Sequence, residues 1–296
     1  MWLADQWNDY EVIDCSKGEK LERWGDYLLV RPDPQVIWDT PKKEKGWRKM
    51  NGHYHRSSKG GGEWEFFQLP KERTIQYSLP INKKLTFHLK PFSFKHTGLF
   101  PEQAANWNWF SQLIADAVSK GRQVKVLNLF AYTGGATLAA AAAGASVTHV
   151  DASKGMVTWA KENAISSGLK DAPIRWLVDD CVKFVEREIR RGNHYDAIIM
   201  DPPSYGRGPK GEIWKIEESV YPLIQLCSQI LTDNPLFFLI NSYTTGLQPA
   251  VLSYMISTVL GTANGTVTAS EIGLPVSSNG LVLPCGASGR YEATGI

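Results

Sequence analysis

Residues 124–151 read VKVLNLFAYTGGATLAAAAAGASVTHVD, and this stretch decides the fold. An apolar run at 124–130 ends in a glycine-containing loop, an alanine-rich stretch follows at 137–145, and a second strand-like run at 146–151 ends in an acid. Short apolar runs bounded by turn residues are typical of buried strands, and the alanine-rich stretch is typical of a helix. The stretch therefore predicts a strand–helix–strand unit with parallel strands.

The same alternation continues toward the end of the chain. It predicts strands over 174–178, 195–200 and 236–241 and helices over 156–167, 182–191, 217–231 and 249–260. Strands that are apolar throughout favour a parallel sheet covered by helices on both faces. Because crossovers between parallel strands are right-handed, we expect a Rossmann-like, doubly wound α/β sheet with its ligand at the carboxyl ends of the strands.

The front of the chain has a different character. Short alternating runs are strand-like, and glycines and prolines separate them; they lie at 27–30, 74–79 and 85–89. No long helical pattern accompanies them. We therefore predict a small β-rich N-terminal module over residues 1–93, followed by a second domain over residues 94–296.

Composition excludes several classes of protein. With 296 residues, a net charge of +2, 43% hydrophobic and 21% charged residues, the chain is neither disordered nor a histone-like polycation. No apolar run approaches the ~20 residues that span a bilayer, and the acidic, aromatic opening MWLADQWNDY is unlike a signal peptide. Four scattered cysteines and six histidines without metal-ligand spacing predict no metal site and a reducing, cytoplasmic compartment.

The residues that follow the first strand indicate the kind of ligand. They are Ala131, Tyr132, Thr133 and Gly134. Glycines here let the backbone approach a ligand closely and open a helix with an electropositive N-terminus. The G-x-G-x-x-G pattern of nicotinamide and flavin domains is missing, which argues against a dehydrogenase. An ordinary strand–helix turn is the alternative interpretation.

Acidic residues follow the second and third strands. Asp151 ends the second strand, where an acid hydrogen-bonds ribose hydroxyls in nucleotide sites. Ala152 and Ser153 could flank an adenine, and a carboxylate after the third strand can accept from the adenine amino group; the candidates there are Asp179, Asp180 and Cys181. Helix N-capping is the alternative for each acid. Their placement at successive strand ends favours a nucleotide-type ligand.

The fourth strand ends in a proline-rich turn. Its residues are Asp201, Pro202, Pro203, Ser204 and Tyr205. The two prolines stop the strand and stiffen the backbone. A rigid turn with free carbonyls, a carboxylate and an aromatic ring suits a flat substrate that bears an amino group. A plain Pro-Pro loop is the alternative.

Together these motifs resemble the class I S-adenosylmethionine-dependent methyltransferases, and within them the large-subunit ribosomal RNA methyltransferase group. The first-strand motif L-N-L-F-A-Y-T-G is similar to residues 127–134 and the D-P-P motif to residues 201–203. Residues 95–103, KHTGLFPEQ, are similar to the K-T-G-x-F-x-x-Q stretch that precedes the catalytic domain in that group. The resemblance implies S-adenosylmethionine as cofactor and a seven-stranded sheet whose last strand is antiparallel, closed by a hairpin around residues 281–284.

The resemblance also implies roles for single residues. Phe130, Tyr132 and Gly134 would line the methionine and ribose side of the cofactor, with Ala131 and Thr133 between them. Asp151 would hold the ribose, and Asp180 and Cys181 the adenine edge. Asp201 would lie near the transferred methyl group, and the Pro202 carbonyl would help to orient the nucleophile. The segment that could close over the cofactor contributes His96, Thr97, Phe100 and Gln103.

One departure from the group bears on the chemistry. Its cytosine-C5 members use a cysteine soon after the fifth strand, whereas this chain has Asn241, Ser242, Tyr243 and Thr244 there. Attack on a pyrimidine C6 needs a thiolate, and neither Cys181 nor Cys227 is suitably placed. The D-P-P-S-Y loop resembles instead the (D/N)-P-P-(Y/F) loop of amino-methylating enzymes, which implies direct in-line transfer.

A basic, aromatic segment of the N-terminal module suggests a nucleic-acid partner. Between residues 42 and 59 it carries seven basic residues with Trp47 and Tyr54 among them, and the candidates for phosphate contact include Lys42, Lys43, Lys45 and Arg48. Arg207 follows the proline turn and could contact a substrate backbone. A solvated loop is the alternative.

The sequence therefore predicts a methyltransferase acting on RNA, most of all ribosomal RNA, and is compatible with a homo-oligomer. A small-molecule or protein methyltransferase, or a non-catalytic nucleic-acid-binding protein, stays open.

Overall fold

The computed structural model describes residues 1–90 and 96–295. The front of the chain is built from β1 (Trp2–Leu3), β2 (Tyr10–Ser16), β3 (Glu19–Trp24), β4 (Tyr27–Pro32), β5 (Gly52–Arg56), β6 (Gly62–Phe66), β7 (Arg73–Leu79) and β8 (Lys83–Leu89). The remainder alternates between helices and strands. Its elements are α1 (Ala104–Ser119), β9 (Lys125–Leu129), α2 (Gly135–Ala142), β10 (Ser146–Asp151), α3 (Lys154–Ser166), β11 (Ile174–Val178), α4 (Cys181–Arg191), β12 (Ala197–Met200), β13 (Tyr205–Arg207), β14 (Ile213–Lys215), α5 (Ile216–Ser228), β15 (Phe237–Ser242), α6 (Pro249–Leu260), β16 (Gly265–Pro275) and β17 (Val282–Ala293).

The central sheet has the strand order β1-β16-β17-β15-β12-β9-β10-β11. The strands from β15 to β11 in this order are parallel, and β17 is antiparallel to both of its neighbours. The predicted doubly wound α/β sheet with an antiparallel last strand is therefore confirmed, and β16 and β17 form the closing hairpin. An eighth strand, β1, pairs in parallel with β16 at the edge. The sequence does not predict it, because a two-residue strand shows no periodicity.

Both faces of this sheet are buried at its centre, which explains why the central strand β12 is apolar throughout. In β12, Ala197 and Ile199 belong to a core that includes residues of α1 and α2. Ile198 and Met200 belong to the opposite core, with residues of α4, α5 and α6. Since successive side chains of a strand point to opposite faces, one apolar run serves both cores. The carboxyl ends of the strands are left for a ligand.

The front of the chain is β-rich as predicted, and it is joined closely to the central sheet. Strands β2 to β6 form a sheet of their own, in which β4 and β5 are parallel. The β7–β8 hairpin packs on α3 instead: the backbone N–H of His88 donates to Asn163 Oδ1 at 2.8 Å, and Trp159 Nε1 donates to the His88 carbonyl at 2.9 Å. The predicted boundary between residues 93 and 94 lies outside the described residues, and so does Lys95 of the segment 95–103.

Like β1, helix α1 and the β13–β14 hairpin were not predicted from the sequence. Helix α1 buries Trp107, Phe110, Ile114 and Ala117 along one face, but polar residues interrupt this pattern in the chain. The short β13–β14 hairpin follows the proline turn. Across residues 1–90 and 96–295, no helix is long and apolar enough to cross a bilayer.

Candidate active site

A cavity of about 460 Å³ opens at the carboxyl ends of β9, β10 and β12, where the sequence predicts the ligand. This volume is in the range of ordinary small-molecule sites. It brings together most of the predicted site residues, from five separate segments of the chain. The predicted residues that line it are His96, Phe100, Phe130, Tyr132, Asp151, Ala152, Ser153, Asp180, Cys181, Asp201, Pro202, Pro203 and Arg207.

Other predicted residues lie behind or beside this cavity. A smaller cavity of about 50 Å³ adjoins it and is lined by Gln103, Ala131 and Thr133. Thr97 is fully buried, and Thr133 Oγ1 donates to the Gly98 carbonyl. Gly134 has a φ of +87°, and a Cβ there would meet the Cβ of Ala160 at 3.0 Å. Glycine is therefore required at this position by the backbone and by close packing.

Asp151 holds the first-strand loop in place. Its Oδ2 accepts from the backbone N–H of Tyr132 at 2.8 Å, and its Oδ1 accepts from the N–H of Ser153 at 2.9 Å. Tyr132 has a φ of +54°, which a non-glycine residue rarely adopts. Burial raises the pKa of Asp151, and these two hydrogen bonds oppose that shift. The carboxylate is therefore pre-oriented, with its remaining lone pairs available to hydroxyl donors in the cavity.

The capping interpretation holds for two of the predicted residues. Asp180 Oδ1 accepts from the N–H of Lys183 and caps α4, while its side chain also lines the cavity. Ser153 caps α3 through the N–H of Met156. Asp179 forms an ion pair with Arg187 and is not among the residues that line the cavity.

The proline turn differs in two respects from the expectation. Trp214 Nε1 donates to the Pro203 carbonyl at 2.7 Å, so this carbonyl is not free to bind a substrate as expected. Trp214, from β14, lines the cavity and also contacts the ring of Phe130. Tyr205 is 52% exposed on β13 and does not line the cavity. The turn is therefore braced by a tryptophan that the sequence pattern did not identify.

The carboxyl group of Asp201 has an unusual pKa. Its pKa is raised from 3.8 to about 7, first by burial and second by the negative charge of Glu102. Both causes disfavour the ionised form. A positively charged ligand in the cavity would reverse this, because it favours the carboxylate.

Tyr243 is the most informative residue that the prediction missed. It follows β15, lines the cavity, and accepts a hydrogen bond from Gln103 Nε2 at 2.8 Å. Its ring lies 5.6 Å from that of Phe100, and Phe100 lies 5.3 Å from Tyr132. The rule used for the earlier strand ends, applied to β15, would have found it. The other missed lining residues are Val182, Ser204, Gly206, Gly208 and Thr244.

All four cysteines are structural thiols. Burial raises the pKa of each, to about 11 for Cys15 and well above the ordinary value for Cys181, Cys227 and Cys285. Cys181 Sγ lies 3.3 Å from the backbone nitrogen of Phe130 and accepts its hydrogen bond. A thiol held protonated is a poor nucleophile. This agrees with the expectation that no cysteine attacks the substrate.

The basic segment lies away from the cavity. Lys42 Nζ bonds Glu19 Oε1 at 2.9 Å and lies over the ring of Trp47, so its charge is already partnered. Lys43, Lys45 and Arg48 are exposed. None of these four residues lines the cavity, whereas the exposed Arg207 does.

Comparison with known proteins agrees with this site. A family model described as S-adenosylmethionine-dependent methyltransferase matches residues 71–231. The chain belongs to this family. The predicted enzyme class and cofactor are thereby confirmed, and the match covers β7 to α5 and hence most of the cavity.

A solved methyltransferase from Agrobacterium tumefaciens has the same architecture. It is 36% identical, with a TM-score of 0.88, and the match covers 97% of this chain and 91% of that one. The N-terminal module is therefore part of the shared fold. A structure from Streptococcus mutans, 18% identical with a TM-score of 0.72, shows the same fold over 97% of this chain and 76% of its own.

Curated relatives are named ribosomal RNA large subunit methyltransferase K/L. The one from Pseudoalteromonas atlantica is 28% identical over 252 residues, or 76% of this chain and 33% of its own length. The one from Shewanella baltica strain OS155 is 35% identical over 219 residues, or 71% of this chain and 28% of its own. The chain spans about a third of the length of these relatives.

Proposed function

We propose that this protein methylates a nitrogen of an RNA base, with ribosomal RNA as the target, by direct in-line transfer. The observation that carries the proposal is the cavity in which Asp151, Asp201 and the Pro202–Pro203 turn converge, while Cys181 on its lining is buried and accepts from the backbone N–H of Phe130. The names of the curated relatives support RNA as the substrate. A cytoplasmic location is part of the proposal, and the four free thiols support it.

The residues of the cavity fit the cofactor. Asp151 offers a fixed carboxylate to the ribose hydroxyls, and Asp180 and Val182 lie at the adenine side. Asp201 offers a negative charge to the cationic end. When bound, S-adenosylmethionine would supply a methyl group on a positively charged sulfur: as the bond from the base nitrogen to the methyl carbon forms, the sulfur–carbon bond breaks to leave a neutral thioether, and the nitrogen releases its proton to solvent.

The chain's own contribution is positioning. Trp214 fixes the proline turn through the Pro203 carbonyl, which leaves the Pro202 carbonyl and Asp201 to orient an N–H donor. The aromatic side chains of Phe100, Tyr132 and Tyr243 exclude water and offer faces against which a base can pack. Holding the two reactants in line supplies most of the rate gain in such a site. A base in structured RNA must leave its stack to reach it.

The test has a binding arm and a transfer arm. Calorimetry should detect binding of S-adenosylmethionine, and Asp151→Asn should weaken it by about 1–3 kcal/mol, because hydrogen bonds to a charged acceptor are lost. Asp171→Asn, on an exposed loop, is the matched control and should bind normally. Equal binding by the Asp151 variant would contradict the assignment of this residue.

The transfer arm uses tritiated S-adenosylmethionine and total RNA, followed by nucleoside mass spectrometry. The expected product is a base methylated on nitrogen. A C5-methylpyrimidine would contradict the direct mechanism. Label that appears in protein or small molecules but not in RNA would contradict the substrate.

A further inference from the structure

A second cavity, of about 650 Å³, adjoins the first. The two share His96, Phe100, Tyr243 and Thr244 as lining residues. The rings of Phe100 and Tyr243 lie 5.6 Å apart at 33° to one another. The two cavities therefore share one wall of mainly aromatic side chains, along which a ligand in the second cavity would extend its edge to Asp201 and Pro202 at the site of methyl transfer.

Two parts of the chain build this second cavity. Strands β3 and β4 and the following turn contribute Lys20, Arg31 and Asp33. The other walls come from Glu102, the loop after β15 and the β16–β17 hairpin. The cavity therefore exists only because the N-terminal module is seated on the methyltransferase sheet, which gives the module a part in the site.

The charges around the cavity indicate what it can bind. Lys20 Nζ lies 3.6 Å from Asp33 Oδ2, and Arg31 forms a buried ion pair with Glu22 at 2.6 Å. Both cations are thus paired with carboxylates. The remaining acids on the lining are Glu102, which is 6% exposed, and Glu271. An anionic ligand such as a phosphate is disfavoured here, whereas an uncharged ligand with N–H donors is favoured.

We propose that this second cavity receives the methyl acceptor, as a single nucleobase extruded from its stack. Glu102 accepts from the N–H groups of the base, and the Phe100–Tyr243 wall packs against its ring. The volume suits a flipped base with its sugar. The inference rests on the proposed function, and it adds Glu102 as a residue that determines substrate recognition.

Two variants test the role of the cavity. Thr245→Trp fills it from the exposed loop after β15, where Thr245 lines this cavity and not the cofactor cavity. Thr266→Trp makes the same change at an exposed position of β16 outside both cavities. We expect kcat/KM for unmethylated RNA to fall at least tenfold in Thr245→Trp and to stay unchanged in Thr266→Trp. Affinity for S-adenosylhomocysteine, measured by calorimetry, should stay within about twofold in both.

Glu102→Gln tests recognition without a change of shape. Replacing the carboxyl group by an amide changes the hydrogen-bonding groups that face the base and should raise KM for RNA by about tenfold, with a smaller change in kcat. Circular dichroism and S-adenosylhomocysteine affinity serve as controls for folding and for the cofactor site. A merely structural role for Glu102 would lower kcat and cofactor affinity together, and that result would overturn its assignment.

The outcomes separate this inference from the proposed function. If the wild-type protein methylates RNA and Thr245→Trp does so with the same kcat/KM, the second cavity is not the acceptor site, and the proposed function stands. If Thr245→Trp loses S-adenosylhomocysteine binding, the cavity belongs to the cofactor and the inference is wrong. If the wild-type protein transfers no methyl to RNA, the proposed function itself is wrong and the inference falls with it.

Discussion

Asp201 shows how the site sets function against stability. Its pKa of about 7 means that folding transfers a carboxyl group into surroundings that disfavour its charge. Near neutral pH the folded protein therefore retains a proton that the unfolded chain has released. A cationic ligand that pairs with the carboxylate would offset the free energy lost by burying it. Asp201 is therefore suited to ligand binding and destabilises the unliganded fold.

Replacing this carboxyl should make the unliganded protein more stable. For wild type, the free energy of unfolding should decline as pH rises from about 4 to about 7, since the folded-state pKa exceeds the ordinary value of 3.8. Asp201→Asn removes this dependence and should be more stable at pH 8 by about 1–3 kcal/mol. Urea unfolding at pH 5 and pH 8 measures the difference.

The same substitution should weaken binding of S-adenosylmethionine, most of all above pH 7, where the wild-type carboxyl is ionised. Asp171→Asn, exposed on a loop, should change neither quantity. A stability gain of equal size at both pH values would show that the raised pKa of Asp201 is not its cause.

Single residues were predictable where the position along a strand decides their place. Asp151 and Asp201 end or follow apolar strands, so the parallel topology carries both to one edge of the sheet. Tyr243 obeys the same rule at β15. Trp214 and Glu102 could not be found this way, because their place depends on a hairpin and on a segment that returns to the site from outside the sheet.

At the scale of elements, buried strands were the most predictable. β12 is apolar throughout and lies within the predicted run 195–200, and β10 and β11 have the predicted bounds 146–151 and 174–178, because short runs bounded by turn residues are typical of strands. Helix α1 escaped prediction because Asn106 and Ser111 lie among its buried residues. Asn106 Nδ2 donates to Asn241 Oδ1 and Ser288 Oγ, so a polar network inside the core breaks the apolar pattern.

The short strand β1 also has a structural role that its length conceals. The guanidinium carbon of Arg290 lies 3.7 Å from the ring centroid of Trp2 and 4.6 Å from the ring centroid of Trp109. Burial lowers the pKa of Arg290 to about 9, so the group is still charged at neutral pH. A buried cation held by two rings and by Asn106 links β1, α1 and β17.

Removing one ring of this arrangement should destabilise the protein. We expect Trp2→Ala to lower the free energy of unfolding by about 1–3 kcal/mol, since it removes a cation–π contact and the packing of the indole ring. Leu3→Ala in the same strand removes a side chain that is 37% exposed and should cost less than about 1 kcal/mol. Equal losses in the two variants, measured by urea unfolding, would contradict a specific role for the ring.

At the scale of the whole molecule, a net charge of +2 conceals an uneven distribution. Residues 42–59 hold seven basic residues against one acid, whereas three carboxylates, those of Asp151, Asp180 and Asp201, line the first cavity. Sequence alone could locate the basic segment. It could not show that Lys42 is paired with Glu19, whereas three of the candidates for phosphate contact, Lys43, Lys45 and Arg48, are exposed near the short helix Lys45–Trp47. We therefore expect a division of RNA binding between two parts of the chain, in which the N-terminal module holds the RNA backbone and the methyltransferase sheet holds the base.

This division predicts how RNA binding depends on salt. If the three exposed cations neutralise phosphates, changing Lys43, Lys45 and Arg48 together to Gln should weaken RNA binding and reduce the slope of log K against log salt by about 2 for a single strand. Lys83, Lys84 and Lys170, exposed on other surfaces, provide a control triple with the same loss of charge. Filter binding of unmethylated ribosomal RNA between low and physiological salt measures both slopes. Counterion release depends on the phosphates that are actually contacted. If the slope fell equally in the two triple variants, RNA binding would depend only on the net charge of the protein, and the segment at 42–59 would have no specific part in it.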